Sequence, residues 1–274
     1  MNAEAYFISL FSRHSRAVGD DGAVMGRWIY SKDAFFEGVH FRREWMDFEQ
    51  IAYRAMVVNI SDAIAMNAVP RYALLAVGMP KRVTPQEMRQ LHRGFERAAE
   101  EYGIEIISGD TIANIKLDIT VTIVSESARP LSRRGLKRGD LLAHTGTLGR
   151  SAKALRYLMA GGRLHRRSKF VDLRLRRDFV RLAAPALRCG MDISDGLFSD
   201  LEKLSAANRC GVRFFRPFCK MAGCSGEEYE MLVGFAPRMR KKVLRLAQKS
   251  RTPLTLVGRA ERGSFRNRCK AHHF

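Results

Sequence analysis

The chain has 274 residues, 46% hydrophobic and 28% charged, with a formal net charge of +20. That balance excludes a disordered or fibrous chain and leaves room for one large or two modest domains. No run approaches about 18 uninterrupted apolar residues, so no membrane span is expected. The opening "MNAEAYFISLF" lacks a basic region followed by a long apolar run, which argues against a signal peptide.

The elements alternate between strand-like and helix-like runs. After the turn-like "VGDDG", "RWIYSKDAFF" is rich in β-formers. From Phe48 to Met66, the residues Ile51, Ala55, Val58 and Met66 recur at helical spacing, and Pro70 is expected to stop that helix. "RYALLAVGM" reads as a strand. Thr84 and Glu87 predict a capping box with Pro85 at the first helical position, and Gly103 suits the C-terminal cap. Met88, Leu91, Phe95, Ala98 and Tyr102 form the apolar face of this helix. "IEIIS" then predicts a strand with Asp110 just after it, and "KLDITVTIV" alternates. The polar, basic "SESARPLSRRGLKRGD" marks the domain boundary, giving domains 1–128 and 129–274. Beyond it come the strand "LLAHTG", the helix "SAKALRYLMAGG", a basic run from Arg163 to Arg181, the segment "MDISDGLFSDL", the helix "PRMRKKVLRLAQKS" and the strand "PLTLVGRA". The expected fold class is α/β (α+β), in two mixed domains.

Cys189, Cys210, Cys219, Cys224 and Cys269 are odd in number and form no CxxC pair, so they read as reduced thiols in a cytoplasmic protein. The basic run carries no zinc spacing, RNA-binding aromatic signature or helix-turn-helix pattern. A solvated face is the favoured reading, ahead of steering of phosphorylated substrates, with nucleic acid last.

The aspartates carry the chemistry. Asp20 and Asp21 lie in a glycine-bounded turn, Asp33 in a β-rich run, Asp62 near the apolar face of its helix, and Asp192 and Asp195 ahead of another helix. On that second helix Leu197, Leu201 and Leu204 form the apolar face, and Asp200 is expected to lie away from it in solvent. Ser194 or Asp195 could serve simply as a cap, and Gly-Asp is a turn signal. Against that, several aspartates at element ends suit magnesium, which takes a few carboxylates plus phosphate oxygens and water. No Walker A pattern is present. Spacing alone therefore leaves capping and a magnesium–phosphate site both open.

Seven segments in order, "GDDGAV", "SKDAFFEGVHF", "VVNISDAIAMNAVP", "SGDT", "LSRRGLKRGD", "MDISDGLFSDL" and "SGEEYEM", resemble the thiamine-monophosphate kinase family of the aminoimidazole ribonucleotide synthetase-like superfamily. The resemblance implies an N-terminal domain that binds ATP and magnesium and whose sheet pairs across a homodimer, followed by a C-terminal α/β domain. It implies ATP-dependent phosphorylation of thiamine monophosphate to the diphosphate, with Mg2+ as cofactor and ATP as co-substrate. It makes Asp20, Asp33, Asp62, Asp110, Asp192 and Asp195 candidate metal ligands. Gly109, Asp110, Arg133 and Ser194 become ATP-contacting positions, and His40, Glu227 and the terminal Phe274 substrate positions. Asp33, Asp62, Arg133 and Asp195 form the implied catalytic set. Four departures stand out: Lys32 where the family usually has a hydroxyl, "SGDT" for "GGDT", "MNA" for "MGA" and "SGEE" for "GGED". Other activities of the superfamily, a basic nucleic-acid-binding protein and a non-catalytic relative stand as alternatives.

Overall fold

The computed structural model describes residues 3–11, 17–267 and 269. Phe274 lies outside the described residues. The first half holds α1 (Ala3–Phe11), β1 (Ala23–Met25), β2 (Trp28–Phe36), α2 (Phe48–Ala65), β3 (Val69–Pro80), α3 (Pro85–Tyr102), β4 (Glu105–Asn114) and β5 (Asp118–Glu126). Its sheet runs β1-β2-β5-β3-β4. Only β3 and β4 pair in parallel, with α3 as the crossover between them.

Helix α2 organises this half. Asp47 and Gln50 close a reciprocal capping box at its start. Its side chains are buried almost all round, because it packs on α3, on β2 and β5, and on a strand of the second half. A helix buried on nearly every side is a core helix. It ends at Ala65, and Asn67 follows at φ 54°. Pro70 therefore does not stop it: Pro70 lies inside β3 at a shift in register, a place where a strand tolerates proline. Helix α3 has the expected cap, proline and left-handed Gly103, although Met88 turns outward, 45% exposed.

The second half holds β6 (Leu141–Thr145), α4 (Arg150–Met159), α5 (Arg177–Ala183), β7 (Cys189–Asp192), α6 (Leu197–Asn208), β8 (Gly211–Phe214), α7 (Lys220–Gly223), β9 (Met231–Phe235), α8 (Arg240–Lys249) and β10 (Leu254–Glu261). Its sheet runs β7-β9-β6-β10-β8, antiparallel throughout. Alternation along the strands divides the core. Leu141, Ala143, Met231 and Val233 join a core continuous with the first half, while Leu142, Cys189, Met191 and Leu232 pack with Leu197, Leu201 and Leu204 of α6.

Three expectations need correcting. Asp200 is fully buried rather than solvated. It lies three residues after Leu197 and four before Leu204, so it shares their face of α6. Cys224 and Cys269 form a disulfide, with Cα atoms 5.6 Å apart. The fold brings the end of α7 against the C-terminal segment, which sequence spacing could not show; Cys189, Cys210 and Cys219 are free thiols. The basic run is not only a solvated face, since Lys169 and Arg176 turn inward to form ion pairs with Glu228 and Glu230. Among the described residues no helix is long and apolar enough to cross a membrane.

Candidate functional site: a carboxylate cluster between the two halves

The polar side chains of α2 form a stripe. Arg54, Ser61 and Asp62 stand at i, i+7 and i+8, one face of the helix, and they meet the second half. Ser61 donates a hydrogen bond to Asp192 Oδ2 at 2.7 Å. Asn59 accepts one from the Asp33 N–H at 2.6 Å, and Ser31 Oγ donates to the Asn59 carbonyl at 3.3 Å. Helix α2 thereby fixes the β2 backbone at Asp33 and orients Asp192 at the end of β7.

One carboxylate oxygen from each of Asp21, Asp62 and Asp192 lies within 4.8 Å of the others. Like charges so close in a dry site raise each other's proton affinity. Burial first, then the carboxylates of Asp33 and Asp192, hold Asp62 well above the usual range. Burial pushes Asp21 up to about 7 against the pull of Arg133, and Asp192 up to about 6 against its bond from Ser61. Asp33 reaches about 6 through burial and the charges of Asp21 and Asp195. Asp21 Oδ2 is buried without a hydrogen-bond partner. Close hard oxygen donors, held back from ionising and including an orphaned acceptor, fit a small divalent cation such as magnesium.

Two cations flank the cluster. Arg133 donates through Nε to Asp21 Oδ1 at 3.0 Å and through Nη2 to the same oxygen. Lys203 on α6 forms an ion pair with Asp195 and reaches Asp200 Oδ1 at 3.3 Å. Asp20, the expected partner in the cluster, accepts instead from Ser132 Oγ and from the Arg133 N–H at 3.0 Å. Its neighbour Asp21 is the one gathered with Asp62 and Asp192.

The other expected positions scatter around this centre. Glu227 forms an ion pair with the fully buried Arg54 at 2.6 Å, and its N–H donates to the Ser194 carbonyl at 2.6 Å. The Arg54 guanidinium lies over the rings of Phe170 and Tyr229. Glu227 and Tyr229 both adopt positive φ, 54° and 49°, a conformation costly for residues with a Cβ. His40 Nδ1 accepts from the Phe36 N–H at 3.0 Å. Asp110 lies within β4, not just after a strand, and its register with Ala76, Thr120 and Ala34 puts it on the face opposite Asp33. Lys32 is on that outer face too, 3.1 and 3.4 Å from the hydroxyls of Thr120 and Thr122. Gly109 must be glycine, since a Cβ there would meet the Leu75 carbonyl at 2.4 Å.

Sequence reading missed Asp21 as the cluster member, the supports Asn59 and Ser61, and the cations Arg54 and Lys203. Asn59 and Ser61 sit inside the quoted "VVNISD", but nothing in a linear pattern distinguishes a supporting side chain from an ordinary core one.

Residues 19–126 match the N-terminal domain of AIR synthase related protein, and residues 137–267 match its C-terminal domain. The chain belongs to the AIR synthase related protein family. Within that family it is similar to the thiamine-monophosphate kinase of Aquifex aeolicus (28% identity over 242 residues, covering 80% of this chain and 78% of that protein). The Leptospira interrogans thiamine-monophosphate kinase is 31% identical over 196 residues, covering 68% and 63%. The solved structure of AaThiL complexed with AMPPCP and TMP superposes with a TM-score of 0.86 at 25% identity, covering 99% of this chain and 97% of that one. Hydrogenase maturation protein HypE in complex with ATP shares the fold at 16% identity, with a TM-score of 0.70.

Proposed function

We propose that this protein is a thiamine-monophosphate kinase, transferring the γ-phosphoryl group of ATP to the phosphate of thiamine monophosphate and releasing thiamine diphosphate and ADP. The observation that carries this reading is the convergence of Asp21, Asp62 and Asp192 from separate segments, with Arg133 and Lys203 beside them. The likeness to AaThiL complexed with AMPPCP and TMP supplies the substrate class.

Asp21, Asp62 and Asp192 would hold magnesium, with Asp33 next to them. Bound there, magnesium would neutralise phosphate charge and draw together two anions that otherwise repel. The chain's own groups do the rest. Ser61 and Asn59 fix Asp192 and the Asp33 backbone, so the acceptor set is held before substrate arrives. Arg133, paired with Asp21, places a guanidinium beside the cluster, a group suited to phosphate oxygens. Glu227, anchored by Arg54, offers a carboxylate to the organic cation of thiamine. The acceptor is a phosphate monoester, largely ionised near neutral pH, and needs no general base. Positioning and charge neutralisation supply the catalysis.

We also propose a homodimer formed through the outer face of the first sheet. Strand β4 is an edge strand exposed along nearly its whole length, with Ile107 and Ile112 at 50% and 59%, and such an edge is a liability unless covered. That face carries Asp110 and Lys32, so pairing would enclose both.

Purified protein with ATP, magnesium and thiamine monophosphate tests the activity directly, with thiamine diphosphate as the readout. Product is expected only when all three are present. Its absence across a range of pH and monovalent salt would overturn the reading.

A further inference from the structure

Lys203 is a second cation beside the cluster, and the roles assigned above leave it without one. It stands in the second turn of α6, three residues after Asp200, so the two side chains share a face. Asp200 is wholly buried. One of its oxygens takes the Lys203 ion pair at 3.3 Å, and the other accepts the Asp195 N–H at 3.2 Å. The buried carboxylate thus ties the lysine and the Asp195 backbone to one anchor. The Lys203 ammonium then closes on Asp195 Oδ2.

Two readings compete. Lys203 and Asp195 could be an incidental surface pair, worth little. The burial of Asp200 argues against that. Asp200 also accepts the Asp195 N–H, so the ammonium faces two carboxyl groups joined through one stretch of backbone rather than a single exposed partner. Position argues the same way. The Lys203 charge reaches Asp33 and Asp192 as well as Asp195, which places it inside the electrostatic field of the cluster. The side chain keeps 36% exposure, enough for a phosphate oxygen to reach it. An ammonium has three donors and no lone pair, so it cannot ligate a metal. It can bind two carboxylates and still present a proton to phosphate.

We propose that Lys203 is a resident cation of this site, occupying Asp195 in place of an additional divalent ion. This rests on the magnesium reading above. Asp21, Asp62 and Asp192 serve the metal, while Asp195 is committed to the lysine. Lys203 is accordingly a charge-supplying residue for the phosphates, and this chain works with one ion fewer than its carboxylates could hold.

Counting bound manganese by electron paramagnetic resonance, in the presence of a non-hydrolysable ATP analogue, tests this without turnover. Lys203→Met is expected to bind one more ion per chain than the unaltered protein, and Lys203→Arg to match the unaltered protein. Asp195→Asn alone should leave the count unchanged, and in the Lys203→Met background it should remove the extra ion. Equal counts with and without Lys203 would overturn the proposal, as would loss of an ion in Asp195→Asn. If Lys203→Met does not fold, Asp195→Asn decides alone. A protein that binds manganese but makes no thiamine diphosphate would sink the kinase assignment and leave this one standing; no manganese bound by any variant would sink both.

Discussion

Asp192 is held by Ser61 on one side and crowded by Asp21, Asp33 and Asp62 on the other. Asp192→Asn keeps its size and one hydrogen-bond acceptor but removes the charge. Turnover should fall by roughly two to three orders of magnitude, comparable to losing one preorganised electrostatic partner, with the fold retained; steady-state kinetics beside circular dichroism checks both. The crowding also makes stability depend on pH in an unusual direction. These carboxylates have folded-state proton affinities above their unfolded values, with Asp33 and Asp192 at about 6 and Asp21 at about 7. Their contribution is fully present at acid pH below the unfolded value and is lost as pH rises through about 6 to 7. Metal-free protein should therefore lose melting temperature between about pH 4 and about pH 7, and saturating magnesium should restore it at the upper end. A melting temperature independent of magnesium at high pH would contradict the site. The neighbourhood of Asp62 and Asp192 was legible in the sequence because each is a carboxylate flanked by small or apolar residues. Choosing Asp21 over Asp20 was not, because adjacent residues differ only in which way the chain turns them.

At the scale of elements, legibility followed the strength of local signals. Helix α3 announced both ends through Thr84, Pro85, Glu87 and Gly103, each a backbone requirement met by a specific residue. Strands β7 and β9 are four and five residues long and buried on both faces, so neither alternation nor length marked them. Strand β4 was read too short because Gly109 and Asp110 look like a turn. Only the tertiary fit shows that Gly109 admits the close approach of Leu75. Gly109→Ala should force β4 away from β3 and cost about 1–3 kcal/mol, as overpacking does; chemical denaturation measures it. Arg54 joins elements from the two halves. Arg54→Met leaves the Glu227 carboxylate without its cation and should destabilise the protein by about 3 kcal/mol. It should also raise KM for thiamine monophosphate more than it lowers kcat, whereas Arg54→Lys should recover most of both.

At the scale of the whole molecule, each of the two five-stranded sheets contributes a carboxylate to the site, Asp33 from β2 and Asp192 from β7, in a chain whose formal net charge is +20. The proposed dimer belongs here. Ile112→Asp puts a charge on the exposed edge strand and should convert the proposed dimer to monomer in sedimentation velocity; a variant that sediments like the parent would show that the pairing face lies elsewhere. The two-domain organisation was readable from the polar stretch between the alternating elements, since a composition shift survives ignorance of the fold. The placement of the site between the halves was not, because Ser61 and Asp192 are 131 residues apart and only packing brings them together.

Helix α2 belongs by sequence to the first half, yet one of its faces is finished only by the second. The two family domains are therefore not interchangeable modules. Severed in the stretch between β5 and β6, the first fragment would expose the stripe of Arg54, Ser61 and Asp62 and the apolar surface around it. Such a fragment should aggregate when produced alone, and the pair should become soluble and active only when made together in one cell. Swapping a foreign second half onto this first half would fail for the same reason, unless its complement to Arg54 and Ser61 travelled with it.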